Sequence, residues 1–228
     1  MTFSAVLLDL DGTLLNTVPD LTLAVNAMRA DINLAPLPLE TIATYVGKGV
    51  RQLIVRSLQG DGIEPDHDLV ERCRALFNRH YHPVNGLHAT LYPGVIEGLD
   101  AFRRLGLKLA VVTNKPTEFT LPLLERTGLA AYFEQVVCGD TCARHKPDPM
   151  PLLHACGLLQ VPPAQTVMVG DSINDAQAAR AAGMAVLAVP YGYNEGLDVQ
   201  NLKVDDIVMS IDAAAQWISA RGTSPVPA

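Results

Sequence analysis

Asp9 and Asp11 stand two residues apart at the end of the apolar run Ala5-Val6-Leu7-Leu8. A short run with no polar face reads as a buried parallel strand whose carboxyl end opens on a site. Alternate side chains on a strand point to opposite faces, so the two acids share a face only if the backbone stays extended through Leu10. Carboxylates crowded in this way repel each other, which calls for either a bound divalent cation or one acid held protonated. Gly12-Thr13 then permits a sharp turn.

Two later apolar runs also end in polar groups. Leu107 to Val112 is followed by Thr113-Asn114-Lys115, and Val167-Met168-Val169 by Gly170-Asp171. In open parallel sheets, ligands bind beyond the carboxyl ends of the strands, so three such ends point to one site. Between them lies Lys146-Pro147; the proline biases Lys146 to an extended backbone, from which its side chain projects back across the strand ends. Asp171 and Asp175 also read as caps for the helix that follows Gly170.

The elements that must position these groups alternate strand and helix. Helices are expected over residues 95–105, 119–126, 149–156 and 176–182, with strands at 107–112, 136–138, 167–171 and 185–189. The tail adds a short strand at 207–209, a helix from Asp212 past Trp217, and a turn-rich end from Gly222 to Pro227. This pattern predicts an α/β fold, a doubly wound parallel sheet with a Rossmann-like core. Residues 17–83 differ, showing only helical periodicity. Thr17-Val18-Pro19-Asp20 opens a first helix with Leu21, Val25 and Met28 on one face. A short helix over 39–45, one through Leu58, and one capped by Asp66 or Asp68 that ends near Tyr81 follow. The expected organisation is a core of residues 1–16 and 84–228 with a small helical cap domain, 17–83, inserted after the first strand. The two crossings between them are placed to act as a hinge.

Asp9-Leu10-Asp11-Gly12-Thr13-Leu14, the hydroxyl residue Thr113, Lys146 before a proline, and Gly170-Asp171-Ser172-Ile173-Asn174-Asp175 occur in this order. As a set they resemble the motifs of the haloacid dehalogenase-like superfamily of phosphohydrolases, over the core from Ala5 to Asp175. The resemblance implies that Asp9 is a nucleophile forming an aspartyl-phosphate, and that Asp11 passes a proton to the leaving alcohol and later takes one from water. It implies Mg²⁺ as cofactor, held by the Asp9 carboxylate, the Asp11 backbone carbonyl and Asp171, with Asp175 either a ligand or a partner behind the ligands. Thr113, Asn114 and Lys146 would donate to the phosphoryl oxygens. Substrate choice would fall to the cap loop Val46-Gly47-Lys48-Gly49-Val50-Arg51, where Gly47, Lys48 and Arg51 would bind substrate, Lys48 and Arg51 by meeting a substrate carboxylate. That loop and Pro190-Tyr191-Gly192-Tyr193-Asn194-Glu195-Gly196 are similar to those of bacterial members acting on 2-phosphoglycolate.

Composition limits the partners. The 228 residues carry a net charge of −7 and no Lys/Arg run, which argues against nucleic acid and against an anionic membrane surface. No stretch approaches a membrane span, and Met1-Thr2-Phe3-Ser4 opens no signal peptide, so a cytoplasmic protein is expected, as monomer or homodimer, acting on a small anionic phosphomonoester. Cys73, Cys138, Cys142 and Cys156 have no paired spacing and read as reduced thiols, with Cys138 and Cys142 a weaker redox pair. A sugar phosphomutase or a broad-specificity phosphatase of the same superfamily keeps all the core motifs. A receiver-type signalling domain gathers similar groups but in another chain order.

Overall fold

The computed structural model describes residues 2–223, and the part of the turn-rich end beyond Thr223 lies outside them. After β1 (Ala5–Leu8) and β2 (Leu15–Asn16), the chain runs through α1 (Val18–Asp31), α2 (Leu39–Ala43), α3 (Gly49–Gln59) and α4 (His67–Val84). It returns through β3 (Thr90–Leu91) and continues as α5 (Val95–Arg104), β4 (Lys108–Val112), α6 (Thr117–Arg126), β5 (Gln135–Val137) and α7 (Met150–Leu159). Last come β6 (Thr166–Gly170), α8 (Ile173–Ala181), β7 (Ala185–Ala188), β8 (Asp206–Ile207) and α9 (Ile211–Ser219).

Six strands form a parallel sheet in the order β5-β4-β1-β6-β7-β8. Its two faces follow from period-2 alternation in strands that are apolar throughout. Val6, Leu8, Leu109, Val111, Val167 and Val169 point to the side covered by α5, α6 and α9. Ala5, Leu7, Ala110, Val112 and Met168 point to the other, under α7 and α8. β1 lies between β4 and β6, so its carboxyl end sits between Thr113 and Asp171. This is the doubly wound arrangement expected from the alternating pattern.

Helices α1 to α4 pack around a further apolar cluster, with Val25, Met28, Ile54, Leu58, Phe77 and Tyr81 fully buried, and Phe119 of α6 joins it from the sheet side. Arg29 is buried there too; its guanidinium donates to the Ala35 and Ser57 carbonyls and pairs with Asp61, so the charge is fully partnered. α4 extends past the expected end at Tyr81 and through Pro83, because the Asn85 N–H still reaches the Tyr81 carbonyl beyond the proline. Asp66, rather than Asp68, caps its start by accepting from Leu69 N at 2.8 Å.

The two crossings between insert and sheet pair with each other, an interaction that two-residue strands do not announce in sequence. Leu15 lies opposite Leu91 and Asn16 opposite Thr90 in an antiparallel ribbon. Asp20, fully buried, ties the same junction: its carboxylate accepts from Gly86 N (2.9 Å), His88 N (2.9 Å) and Ala89 N (3.1 Å).

Candidate active site

The extended run of β1 stops at Leu8, although Asp9 N still reaches the Val169 carbonyl at 3.0 Å. From Leu10 the chain turns back on itself, and the Leu10 carbonyl accepts from both Leu14 N and Leu15 N at 3.0 Å. Asp11 is therefore placed by a loop and not by a continued strand. Gly12 enables this turn with φ at +88°, and a Cβ there would stand 2.4 Å from the Asp171 carboxylate.

Asp9, Asp171 and Asp175 converge, with a carboxylate oxygen of each within 4.8 Å of the others, and all three are buried. Lys146 lies between two of them. Its Nζ is 2.9 Å from Asp9 Oδ1, an ion-pair contact outside hydrogen-bonding alignment, and it donates to Asp175 Oδ1 and to the Val112 carbonyl, each at 2.7 Å. Asp175 Oδ2 accepts from Ser172 N and Ser172 Oγ in a capping box at the start of α8, so both its oxygens are engaged. Asp171 accepts from Thr13 Oγ1 at 3.1 Å and Tyr193 N at 2.7 Å. Gly192 packs against it so closely that an added Cβ would stand 2.2 Å from Asp171 Cβ.

One lysine does not neutralise three buried acids. Burial pushes the Asp9 carboxyl up to about 8 against the pull of Lys146, with Asp175 and Asp171 adding to the rise. Burial and then the Asp175 charge push Asp171 up to about 7. An all-oxygen set carrying excess negative charge fits a hard divalent cation such as Mg²⁺.

Asp11 is kept apart from this cluster. Its Oδ1 accepts from Thr17 Oγ1 at 2.7 Å, and both oxygens lie 3.3 Å from Lys115 Nζ. Thr17 thus makes no side-chain cap for α1; its hydroxyl serves the acid instead. A cavity of about 40 Å³ opens between the sheet edge and the insert. Asp9, Asp11, Thr113, Asn114 and Lys115 line it from the sheet side, and Gly47 and Gly49 with apolar side chains from the insert. Thr113 Oγ1 accepts from Lys115 N at 3.2 Å, which leaves its own proton free to be given. The Asn114 amide donates to the Gly47 carbonyl at 3.0 Å and the Lys146 carbonyl at 2.9 Å, so its side chain fastens the insert loop rather than pointing both protons at a ligand.

The two cations expected to meet a substrate carboxylate are placed elsewhere. Lys48 pairs with Glu195 at 2.9 Å, a residue also bound by Arg56, and Arg51 is exposed; neither lines the cavity. Glu195 lies almost 150 residues away in sequence, so nothing local announces the pairing. Lys115 and Tyr81 are the groups that sequence reasoning passed over. The available signal was position: Lys115 directly follows Thr113-Asn114 at the end of a buried strand. Pro190–Gly196 supports the site through its two tyrosines. Tyr193 Oη accepts from Thr17 N at 2.8 Å, and Tyr191 Oη donates to the Thr13 carbonyl at 3.0 Å.

Known proteins match this arrangement. The profile of the haloacid dehalogenase-like hydrolases covers residues 6–189. A phosphoglycolate phosphatase of Nitrosospira multiformis is 54% identical over 94% of this chain and 95% of its own, and one of Thiobacillus denitrificans is 49% identical over the same shares. Among solved structures, a predicted phosphoglycolate phosphatase from Haemophilus somnus superposes with a TM-score of 0.89 at 33% identity, covering 95% of this chain and 98% of its own. Matching motifs, matching fold and similarity along nearly the whole length agree, and the chain belongs to the haloacid dehalogenase-like hydrolases.

Proposed function

We propose that this hydrolase is a Mg²⁺-dependent phosphatase of the cytoplasm that converts 2-phosphoglycolate to glycolate and phosphate through an aspartyl-phosphate on Asp9. The observation that carries the reading is the separation of the acids: three converge at the point where Asp9 reaches the cavity wall, while Asp11 stands at the same wall held by other partners. The names of the similar proteins support the substrate.

Asp9, Asp171 and the Asp11 carbonyl would hold the ion, with Asp175, already occupied by Lys146 and Ser172, acting behind them. The bound ion supplies positive charge against the phosphoryl oxygens. Lys146 orients Asp9. A carboxylate oxygen of Asp9 attacks phosphorus as the bond to the glycolate oxygen breaks, and Asp11 gives its proton to that oxygen. Water then attacks phosphorus, Asp11 recovers a proton from it, and the Asp9 carboxylate is released with free phosphate. The Thr113 hydroxyl donates to a phosphoryl oxygen. Residues 17–83 act as a cap over the core of 1–16 and 84–228. A cavity of about 40 Å³ has room for a few waters, so the cap swings away to admit substrate.

Phosphate release with and without Mg²⁺, in the parent, Asp9→Asn and Asp11→Asn, tests the chemistry. Asp9→Asn loses turnover and accumulates no protein-bound phosphate; Asp11→Asn turns over slowly and traps it. Full activity in Asp9→Asn would falsify the assignment of the nucleophile. Comparable or better turnover of hexose phosphates or nucleoside monophosphates by the parent removes 2-phosphoglycolate while leaving the chemistry intact.

A further inference from the structure

With Lys48 held by Glu195 and Arg51 outside, the cavity wall presents one cation, Lys115. Its side chain is 3% exposed. Its ammonium donates to Tyr81 Oη at 2.7 Å and lies 4.8 Å from the centre of that ring. Tyr81 belongs to α4, so the insert itself backs the lysine. Burial works against the charge, but the Asp11 carboxylate and the Tyr81 hydroxyl outweigh it and hold Lys115 above the ordinary lysine range. Lys146 is different, with partners at 2.7 to 2.9 Å on Asp9, Asp175 and the Val112 carbonyl. Lys115 sits 3.3 Å from both Asp11 oxygens, long for a charged pair, and can take another anion without giving up Tyr81.

The position suits one kind of anion. A leaving oxygen served by Asp11 lies within about 3 Å of that carboxyl group. A carboxylate carbon two bonds further on is roughly 2.5 Å from that oxygen, which brings it beside an ammonium resting on the same Asp11 oxygens. The opposite wall, Leu21, Val46, Val50 and Leu53, offers it no polar side chain. Facing that apolar wall, a single cation discriminates strongly. Resting on the phosphatase reading above, we propose that Lys115, backed by Tyr81, binds the substrate carboxylate and sets a preference for carboxylate-bearing phosphomonoesters over their uncharged counterparts.

The test uses the full chain with Mg²⁺ and two matched pairs: 2-phosphoglycolate with ethyl phosphate, and 2-phospholactate with isopropyl phosphate, where a methyl group replaces each carboxylate. In Lys115→Met, the ratio of kcat/KM for 2-phosphoglycolate to that for ethyl phosphate falls at least 30-fold, mainly through KM. Lys115→Arg restores most of it, and Tyr81→Phe lowers the ratio about threefold. An unchanged ratio in Lys115→Met overturns the proposal even if both rates fall, because a lysine acting only through Asp11 or through the fold lowers both alike. Should Lys115→Met not fold, the ratio in Tyr81→Phe decides: a fall supports the proposal and no change overturns it. A parent that prefers only the phospholactate of its pair loses the 2-phosphoglycolate reading, and Lys115 is then judged by the same variants on that pair. A parent with no preference for either carboxylate overturns both.

Discussion

Replacing Lys146 by Met removes the one cation from the three-acid cluster, and the cost follows from the geometry. Two contacts to carboxylates, at 2.9 and 2.7 Å, and one to a backbone carbonyl disappear from a side chain 2% exposed. Breaking a buried pair by deleting one partner costs about 3–5 kcal/mol, because the other charge stays buried without compensation. An independent ceiling comes from the acids that stay ionised beside Asp9, which is itself raised to about 8 and already carries its proton for much of the time at pH 7.5; they escape by taking a proton. For a carboxyl group of ordinary pKa 3.8 at pH 7.5, that escape costs about 1.4 kcal/mol per pH unit, or roughly 5 kcal/mol. The expected loss is therefore about 4 kcal/mol in EDTA at pH 7.5, read as a fall of about 1.3–2 M in the urea midpoint if m is ~2–3 kcal/mol/M. At pH 5 the escape is cheap, and the loss shrinks to about 2 kcal/mol. Added Mg²⁺ recovers part of the loss at pH 7.5. A loss below about 1 kcal/mol at pH 7.5, or one of equal size at both pH values, refutes the account of Lys146 as the neutralising charge.

The metal-free parent itself has a pH-dependent stability of defined sign. Asp9 and Asp171 are raised above 3.8 to about 8 and about 7, so the stability they allow is fully present below about pH 4 and lost as pH rises through those values. Thermal unfolding in EDTA falls between pH 5.5 and 8.5, and Mg²⁺ flattens the slope; a rising curve in EDTA contradicts the cluster. Gly192→Ala places a Cβ 2.2 Å from Asp171 Cβ and displaces that carboxylate, with an expected loss of ~100-fold in kcat and a raised Mg²⁺ requirement in phosphate-release assays. Asp20→Asn turns one acceptor oxygen into a donor facing backbone N–H groups at the junction, costing about 2 kcal/mol, or ~4–8 °C in Tm by calorimetry. An unchanged Tm there removes the clamp.

The sheet and the acids were readable because their signals are local. Apolar runs such as Leu107 to Val112 need no partner to be recognised, and Asp9, Lys146 and Asp171 each sit at a strand end or beside a proline that limits their direction. Long-range pairing was not readable. Lys115 stands at the end of a buried strand, which points it to the site, but only the packing of α4 brings Tyr81 to it. Asp20 reads as an acid near a helix start, yet it serves backbone donors more than 65 residues away. Lys48 and Arg51 were expected at a substrate because their loop resembles the substrate loop of the family's cap, and the carboxylate that captures Lys48 comes from beyond β7.

On the proposed opening of the helical insert, the antiparallel ribbon of β2 and β3 would set how it travels. A pair of laced strands bends easily out of its own plane but resists shear and splaying, since either would break the Leu15–Leu91 and Asn16–Thr90 pairing. The insert therefore has one soft axis, like a door on a strap. If the insert opens and closes as proposed, each closing stroke would return the Gly47 carbonyl to Asn114 and Tyr81 to Lys115 in the same register, and the strap would then set the shape of the shut chamber.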